Sequence, residues 1–358
     1  MSKRWIQFGS AVIAMIMIAN LQYAWTLFVA PLQAAHKSWG LPAIQWAFTL
    51  FIFLETWITP VEGWIIDRLG PRIFLTLGGL LVGIGWTSMG YAQTLTQLYL
   101  FYGMAGVGAA FIYSGSIATA LKWFPDKRGT VSGFITAGFG AGSALFIPII
   151  ARILTQADYK TAFLYTGIGQ GIVIILAAQL LHNPGPDFSV STAVRKPVSV
   201  RIRRNIQEFN SLQMLATPQF WVLYVAFVLT SVGGLMITAQ ASPVGKSLAI
   251  PAAAIVYAVS SSRLANGAGR IFWGWFSDLV GREMAMFIPF TLQALCIVAV
   301  LTIGKRSGDM FILTMILVFF TWGSMFALFP AIIGDYYGPK CATSNYGFLY
   351  TAKGVASI

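Results

Sequence analysis

An all-α transmembrane fold is predicted: two six-helix bundles joined by a basic linker, with the second bundle truncated in helix 11. Three observations predict it. Of 358 residues, 57% are apolar and only 9% charged, against about 25% charged in a soluble domain. The apolar residues fall in continuous runs of about 20, without the period-2 alternation of barrel strands. A polar loop also recurs at a fixed interval along the chain, so the chain reads as two copies of one unit.

The runs come in order at 5–30, 43–66, 73–92, 97–121, 130–154, 161–181, 218–240, 252–276, 285–304, 310–334 and 341–358. The first is too long for the core of a cleavable signal peptide and reads as a spanning helix. Six runs precede 182–217, which holds Pro184, Pro186, Pro197 and five cations. That stretch is a linker between bundles 1–181 and 218–358, and its basic run suits anionic lipid headgroups. With the N-terminus cytoplasmic, the inside loops carry fourteen Lys and Arg and the outside loops five. This asymmetry orients the chain N-in, in a plasma membrane of the bacterial inner-membrane type.

The recurring loop follows the second and eighth runs. Gly63, Asp67 and Gly70 have counterparts in Gly274, Asp278 and Gly281 at a separation of 211 residues, with Arg68 in the first loop and Arg282 beside the second. An even number of helices per copy makes the repeats parallel. Glycine lets helix ends approach closely, aspartate can accept hydrogen bonds from a neighbouring helix N-terminus, and the arginines can reach the other bundle. These residues are therefore expected to gate one face.

Composition excludes several functions. The net charge of +12 lies mostly in short loops between apolar runs, which reads as membrane topology and not as a nucleic-acid surface. Cys296 and Cys341, His36 and His182 form no metal-ligand spacing, and no cofactor is expected. Pairs such as Gly79/Gly83, Gly138/Gly142 and Gly167/Gly171 are four apart, as in close helix packing. No hydrolase, metalloprotease or nucleotide-binding motif occurs, so the chain is not read as an enzyme.

An ionisable group inside a bilayer is a functional candidate. Arg152, near a helix end, can snorkel. Arg270 precedes Asp278 by eight residues, about 12 Å along a helix, close to the midplane of a core about 30 Å thick. Lys353 lies twelve residues past Cys341, about 18 Å deep. A guanidinium fork and an ammonium at the midplane suit an anion between them; the alternative is that each pairs with an internal acid. Arg263, one heptad outward of Arg270, is expected to pair with Glu55, or else to recruit anions from outside. Glu55 could instead carry a proton. Glu62 is assigned to the gate.

Several motifs carry a family resemblance. The paired loops, the parallel repeat and the basic linker resemble the major facilitator superfamily. Gln22-Tyr23-Ala24-Trp25-Thr26-Leu27, Trp123-Phe124-Pro125-Asp126-Lys127-Arg128-Gly129 and Asn266-Gly267-Ala268-Gly269-Arg270 resemble its oxalate/formate antiporter family. So do Phe319-Phe320-Thr321-Trp322-Gly323, Asn345-Tyr346-Gly347-Phe348 and Ala352-Lys353. The resemblance implies that Arg270 and Lys353 ligate a dicarboxylate and that Tyr23, Tyr113, Trp322, Gln45 and Asn266 complete the site. It also implies twelve helices, so the twelfth is expected to lie outside this sequence.

The expected function is alternating-access exchange of small carboxylate anions by a monomer in the lipid bilayer. The alternatives are proton-coupled monocarboxylate symport through Glu55, and a non-transporting membrane sensor or remnant.

Overall fold

A computed structural model describes residues 3–185 and 208–356. Its regular structure is helical, with no strand among the described residues. Continuous apolar runs satisfy their backbone hydrogen bonds within the segment, as lipid requires. The first span is α1 (Lys3–Tyr23) with α2 (Trp25–Ala35), and the second is α3 (Leu41–Trp57) with α4 (Thr59–Leu69). Then come α5 (Pro71–Met89), α6 (Leu95–Trp123), α7 (Arg128–Gln156) and α8 (Tyr159–Leu180). The second bundle has α10 (Pro218–Ser247), α11 (Ala252–Val280) and α12 (Arg282–Thr302). Its tenth span is α13 (Gly308–Trp322) with α14 (Ser324–Tyr336), and its eleventh is α15 (Ala342–Val355).

Three expected continuous helices are broken, at Ala24, Ile58 and Gly323. Pro60 explains the second break: it has no N–H to return to the Thr56 carbonyl, and its ring crowds that carbonyl. At the third, side chains of α11 also donate to backbone carbonyls of the preceding turn. Asn266 Nδ2 donates to the Phe319 carbonyl at 3.3 Å and Trp273 Nε1 to the Phe320 carbonyl at 3.1 Å. Beside the first break, the Leu21 carbonyl likewise accepts from the Tyr102 hydroxyl at 2.6 Å.

Burial separates inner from outer spans. The fourth span is 83% buried and the tenth 72%, whereas the ninth is 22% buried, so α6 and α13–α14 are central and α12 faces outward. Outward faces carry large apolar side chains such as Leu100, Leu176, Leu229 and Leu295, as a bilayer demands. Nine described spans are long and apolar enough to cross a membrane. The two that fall short are α11, which is too polar, and α15, which has 14 residues. These two hold Arg270 and Lys353.

The repeat has a conformational basis. Gly70 and Gly281 end α4 and α11 with φ of +81° and +97°, a region that a side chain disfavours. Of the expected linker, 186–207 lies outside the described residues. Its far end is not a free loop. The short helix α9 (Ser211–Leu215) is capped by Asn210, and Asn345 Nδ2 donates to the Phe209 carbonyl at 3.0 Å. That end docks on α15.

Candidate functional site

Arg270 is fully buried, at 0% exposure. Its Nη1 donates to the Thr136 carbonyl on α7 at 2.7 Å, and its Nε donates to Asn266 Oδ1 one turn back at 3.0 Å. The guanidinium lies 4.2 Å from the centre of the Phe326 ring. No carboxylate pairs with it among the described residues, and Nη2 has no partner. Its resting place on α7 is a glycine: a Cβ at Gly140 would meet Arg270 Nε at 2.9 Å and Asn266 Oδ1 at 3.0 Å.

Lys353 is in a different condition. Its Nζ donates to Glu55 Oε2 at 3.2 Å, to Tyr350 Oη at 3.1 Å and to Gln22 Oε1 at 3.4 Å. Lys353 is 2% exposed and Glu55 0%. The expected Glu55–Arg263 pair is therefore corrected: the helix break at Ile58 and the close crossing of α15 bring Lys353 to Glu55 instead. Arg263 is half-buried and lies over the rings of Tyr23 at 5.1 Å and Phe319 at 5.4 Å. A cation on aromatic faces is stabilised without a counter-ion.

Phe139 on α7 organises the space between the two cations. Arg270 Cζ and Lys353 Nζ lie 6.0 Å and 5.9 Å from its ring centre, so they are no more than about 12 Å apart. Phe139 packs against Tyr23 at 5.4 Å and against Tyr113 at 5.5 Å, and Tyr113 stacks on Tyr350 at 4.9 Å. Trp322 packs edge-on against Phe326, the ring beneath Arg270. Trp322 Nε1 and Glu55 Oε1 are buried without a hydrogen-bond partner, and the buried Tyr113 and Tyr346 hydroxyls have only each other. Buried polar groups are rarely left unpaired, and here two such groups come from the second and tenth spans, with the tyrosine pair from the fourth and eleventh.

Not every expected residue joins this group. Gln45 is exposed near the start of α3 and accepts from Trp25 Nε1 at 3.4 Å, so it sits away from the cations. Asn266 turns its oxygen to Arg270 and positions it. Phe139, Gln22, Tyr350, Phe326 and Thr136 are site residues that sequence reasoning missed. Phe139 is flanked by Gly138, whose spacing to Gly142 reads as close helix packing, and by Gly140.

The gate residues of the second bundle meet the first at the end of the molecule that holds both loops. Asp278 Oδ2 accepts from the Thr130 amide at 2.8 Å and the Thr130 hydroxyl at 2.7 Å, and Oδ1 accepts from the Gly129 amide at 3.1 Å. It thus caps the N-terminus of α7 from the other bundle. Arg282 holds Asp278 at 2.8 Å and Asp335 at 2.8 Å, and Arg128 reaches Asp335 at 3.2 Å. Gly274 abuts the Gly129 carbonyl. Gly63, Asp67 and Arg68, the matching half of the expected gate, have side-chain positions outside the described residues.

A model of the Major Facilitator Superfamily matches residues 10–358. The chain is 39% identical to the oxalate:formate antiporter of Oxalobacter formigenes over 358 residues, all of this chain and 83% of that one. It belongs to the major facilitator superfamily, in the oxalate/formate antiporter family. Another relative in the superfamily is the uncharacterised transporter YhjX of Escherichia coli K12, 25% identical over 99% of this chain and 86% of that one. The chain is also 26% identical to the apicoplast pyruvate carrier 1 of Toxoplasma gondii, over 84% of this chain and 65% of that one. The fold matches the proton:xylose symporter XylE with a TM-score of 0.77, at 14% identity, over 99% of this chain and 87% of that one. As a member of this superfamily the chain is a multi-pass membrane transporter and not an enzyme.

Proposed function

We propose that the protein carries small carboxylate anions across the membrane by alternating access, exchanging one anion for another. One observation carries this reading: Arg270 is a fully buried cation with no acid partner among the described residues and an unbonded Nη2. A charge in that setting is costly unless something neutralises it, and a carboxylate matches the guanidinium fork. Tyr113, Trp322 and Tyr346 supply further hydroxyl and indole donors. The oxalate:formate antiporter similarity supports the substrate class. The loop charges support a cytoplasmic gate face, held shut here by Asp278, Arg282, Asp335 and Arg128.

The cycle follows from these contacts. An anion on Arg270 cancels its charge, so the loaded site is cheaper to reorient than the empty one. The Asp278 cap and the Asp335 bridges part as the bundles rock, and the opposite side closes. The test is counterflow of labelled carboxylate in proteoliposomes. Arg270→Gln should lower it by about 30-fold or more, as expected for losing one member of a buried charge-assisted contact; unchanged counterflow rejects the binding role.

Proton-coupled symport is the second reading, and a specific residue favours it. Lys353 engages Glu55, the expected proton site. Glu62, in contrast, is 1% exposed and pairs with no cation among the described residues. Uptake driven by an imposed pH gradient without internal anion, and lost in Glu62→Gln, would favour symport over exchange.

A further inference from the structure

Resting on the carboxylate-transport reading, we infer that Glu55 takes the place of a second substrate carboxylate and restricts this transporter to monocarboxylates. The argument is a count of donors. An ammonium has three N–H groups, and Lys353 has three buried acceptors within 3.4 Å: Glu55 Oε2, Tyr350 Oη and Gln22 Oε1. None is left for a ligand. A guanidinium has five N–H groups, and Arg270 makes two hydrogen bonds. Three are left, both of those on Nη2 among them. The two cations therefore differ in kind. Arg270 offers an open fork, while Lys353 is already neutralised by a carboxylate of the chain itself.

The charge pattern points the same way. Glu55 Oε1 is buried and unbonded. A second carboxylate approaching Lys353 would face this oxygen in a dry setting, where like charges repel strongly. A substrate with a single carboxylate meets no such opposition, because its uncharged end lies among the rings of Phe139, Tyr113 and Tyr350. Repulsion of the wrong ligand is a recognised route to selectivity. Arg263 does not restore the balance for a dianion: it lies over Tyr23 and Phe319, one heptad outward of Arg270.

The test compares pyruvate, a three-carbon acid with one carboxylate, with malonate, a three-carbon acid with two. Labelled counterflow is measured in proteoliposomes with the wild-type chain and with Glu55→Gln, which keeps the side chain's shape and removes its charge. The wild type should exchange pyruvate in preference to malonate by about tenfold, and Glu55→Gln should shift the ratio toward malonate by about tenfold or more, as when a like-charge contact is relieved. A ratio that does not move between two active proteins overturns the inference. So does a wild-type preference for malonate, which ligand-induced thermal stabilisation of the wild type reads without any variant. Exchange of neither acid by the wild type would instead bring down the carboxylate-transport reading, and this inference with it.

Discussion

Arg270 owes its place to a neighbour without a side chain. The guanidinium rests where a Cβ on Gly140 would stand, 2.9 Å from Nε, and Asn266 and the Thr136 carbonyl hold it there. Gly140→Ala should therefore displace the fork while leaving its charge in the site. Counterflow affinity should fall by about tenfold, within the range for small shifts of a positioning contact, with expression and melting temperature close to wild type. Arg270→Lys tests the fork against the charge. It keeps a cation but loses the planar geometry that grips a carboxylate twice, so it should bind weakly where Gly140→Ala still binds.

At the scale of elements, the breaks in the spans lie beside the site. Ile58 is three residues beyond Glu55, and Gly323 directly follows Trp322. Irregular backbone inside a membrane belongs where it lines a protein interior or cavity, and these two breaks do. Pro60→Ala would let residue 60 donate to the Thr56 carbonyl and favour a straight second span. It should raise the melting temperature by a few degrees and slow exchange turnover several-fold, because hinges absorb the backbone change during closure. The other informative element is the start of α7. Its amides at Gly129 and Thr130 are held by Asp278 across the bundle boundary. Asp278→Ala should speed amide hydrogen exchange in a peptide spanning 128–133 by about tenfold or more, the change expected when a local contact stops opposing opening. No change there would mean that the cap does not hold this face shut.

The whole molecule is a pair of bundles that meet along two seams. One seam runs α7 against α11, from Gly129 and Gly274 to Ala141 and Gly267; the other runs α3–α4 against α15, at Thr59 and Gly347 and at Glu55 and Lys353. A ligand bound between the seams holds both bundles at once. Saturation at about 100 times the dissociation constant should stabilise the folded protein by about 2.7 kcal/mol. A rise in melting temperature with a monocarboxylate, absent in Arg270→Gln, reads this directly.

Much of this design was legible in the sequence. Apolar runs located most of the spans, because a bilayer imposes length and apolarity on the segments it surrounds, although α11 and α15 fall short of that measure. The 211-residue repeat exposed the loop glycines and Asp278, because a turn at a helix end needs positive φ wherever it recurs. Counting residues from a polar boundary put Arg270 and Lys353 far from either helix end, since helical rise is fixed, and both are buried. What only the tertiary structure decided was partnership. Spacing along one helix suggested Arg263 for Glu55, yet helix breaks and the crossing of α15 assigned Glu55 to Lys353. No spacing tied Phe139 or Gly140 to Arg270, which comes to lie on them from the other bundle. Contacts between residues 130 to 300 positions apart are set by how helices cross and where they bend, and no local pattern in a single sequence encodes that geometry.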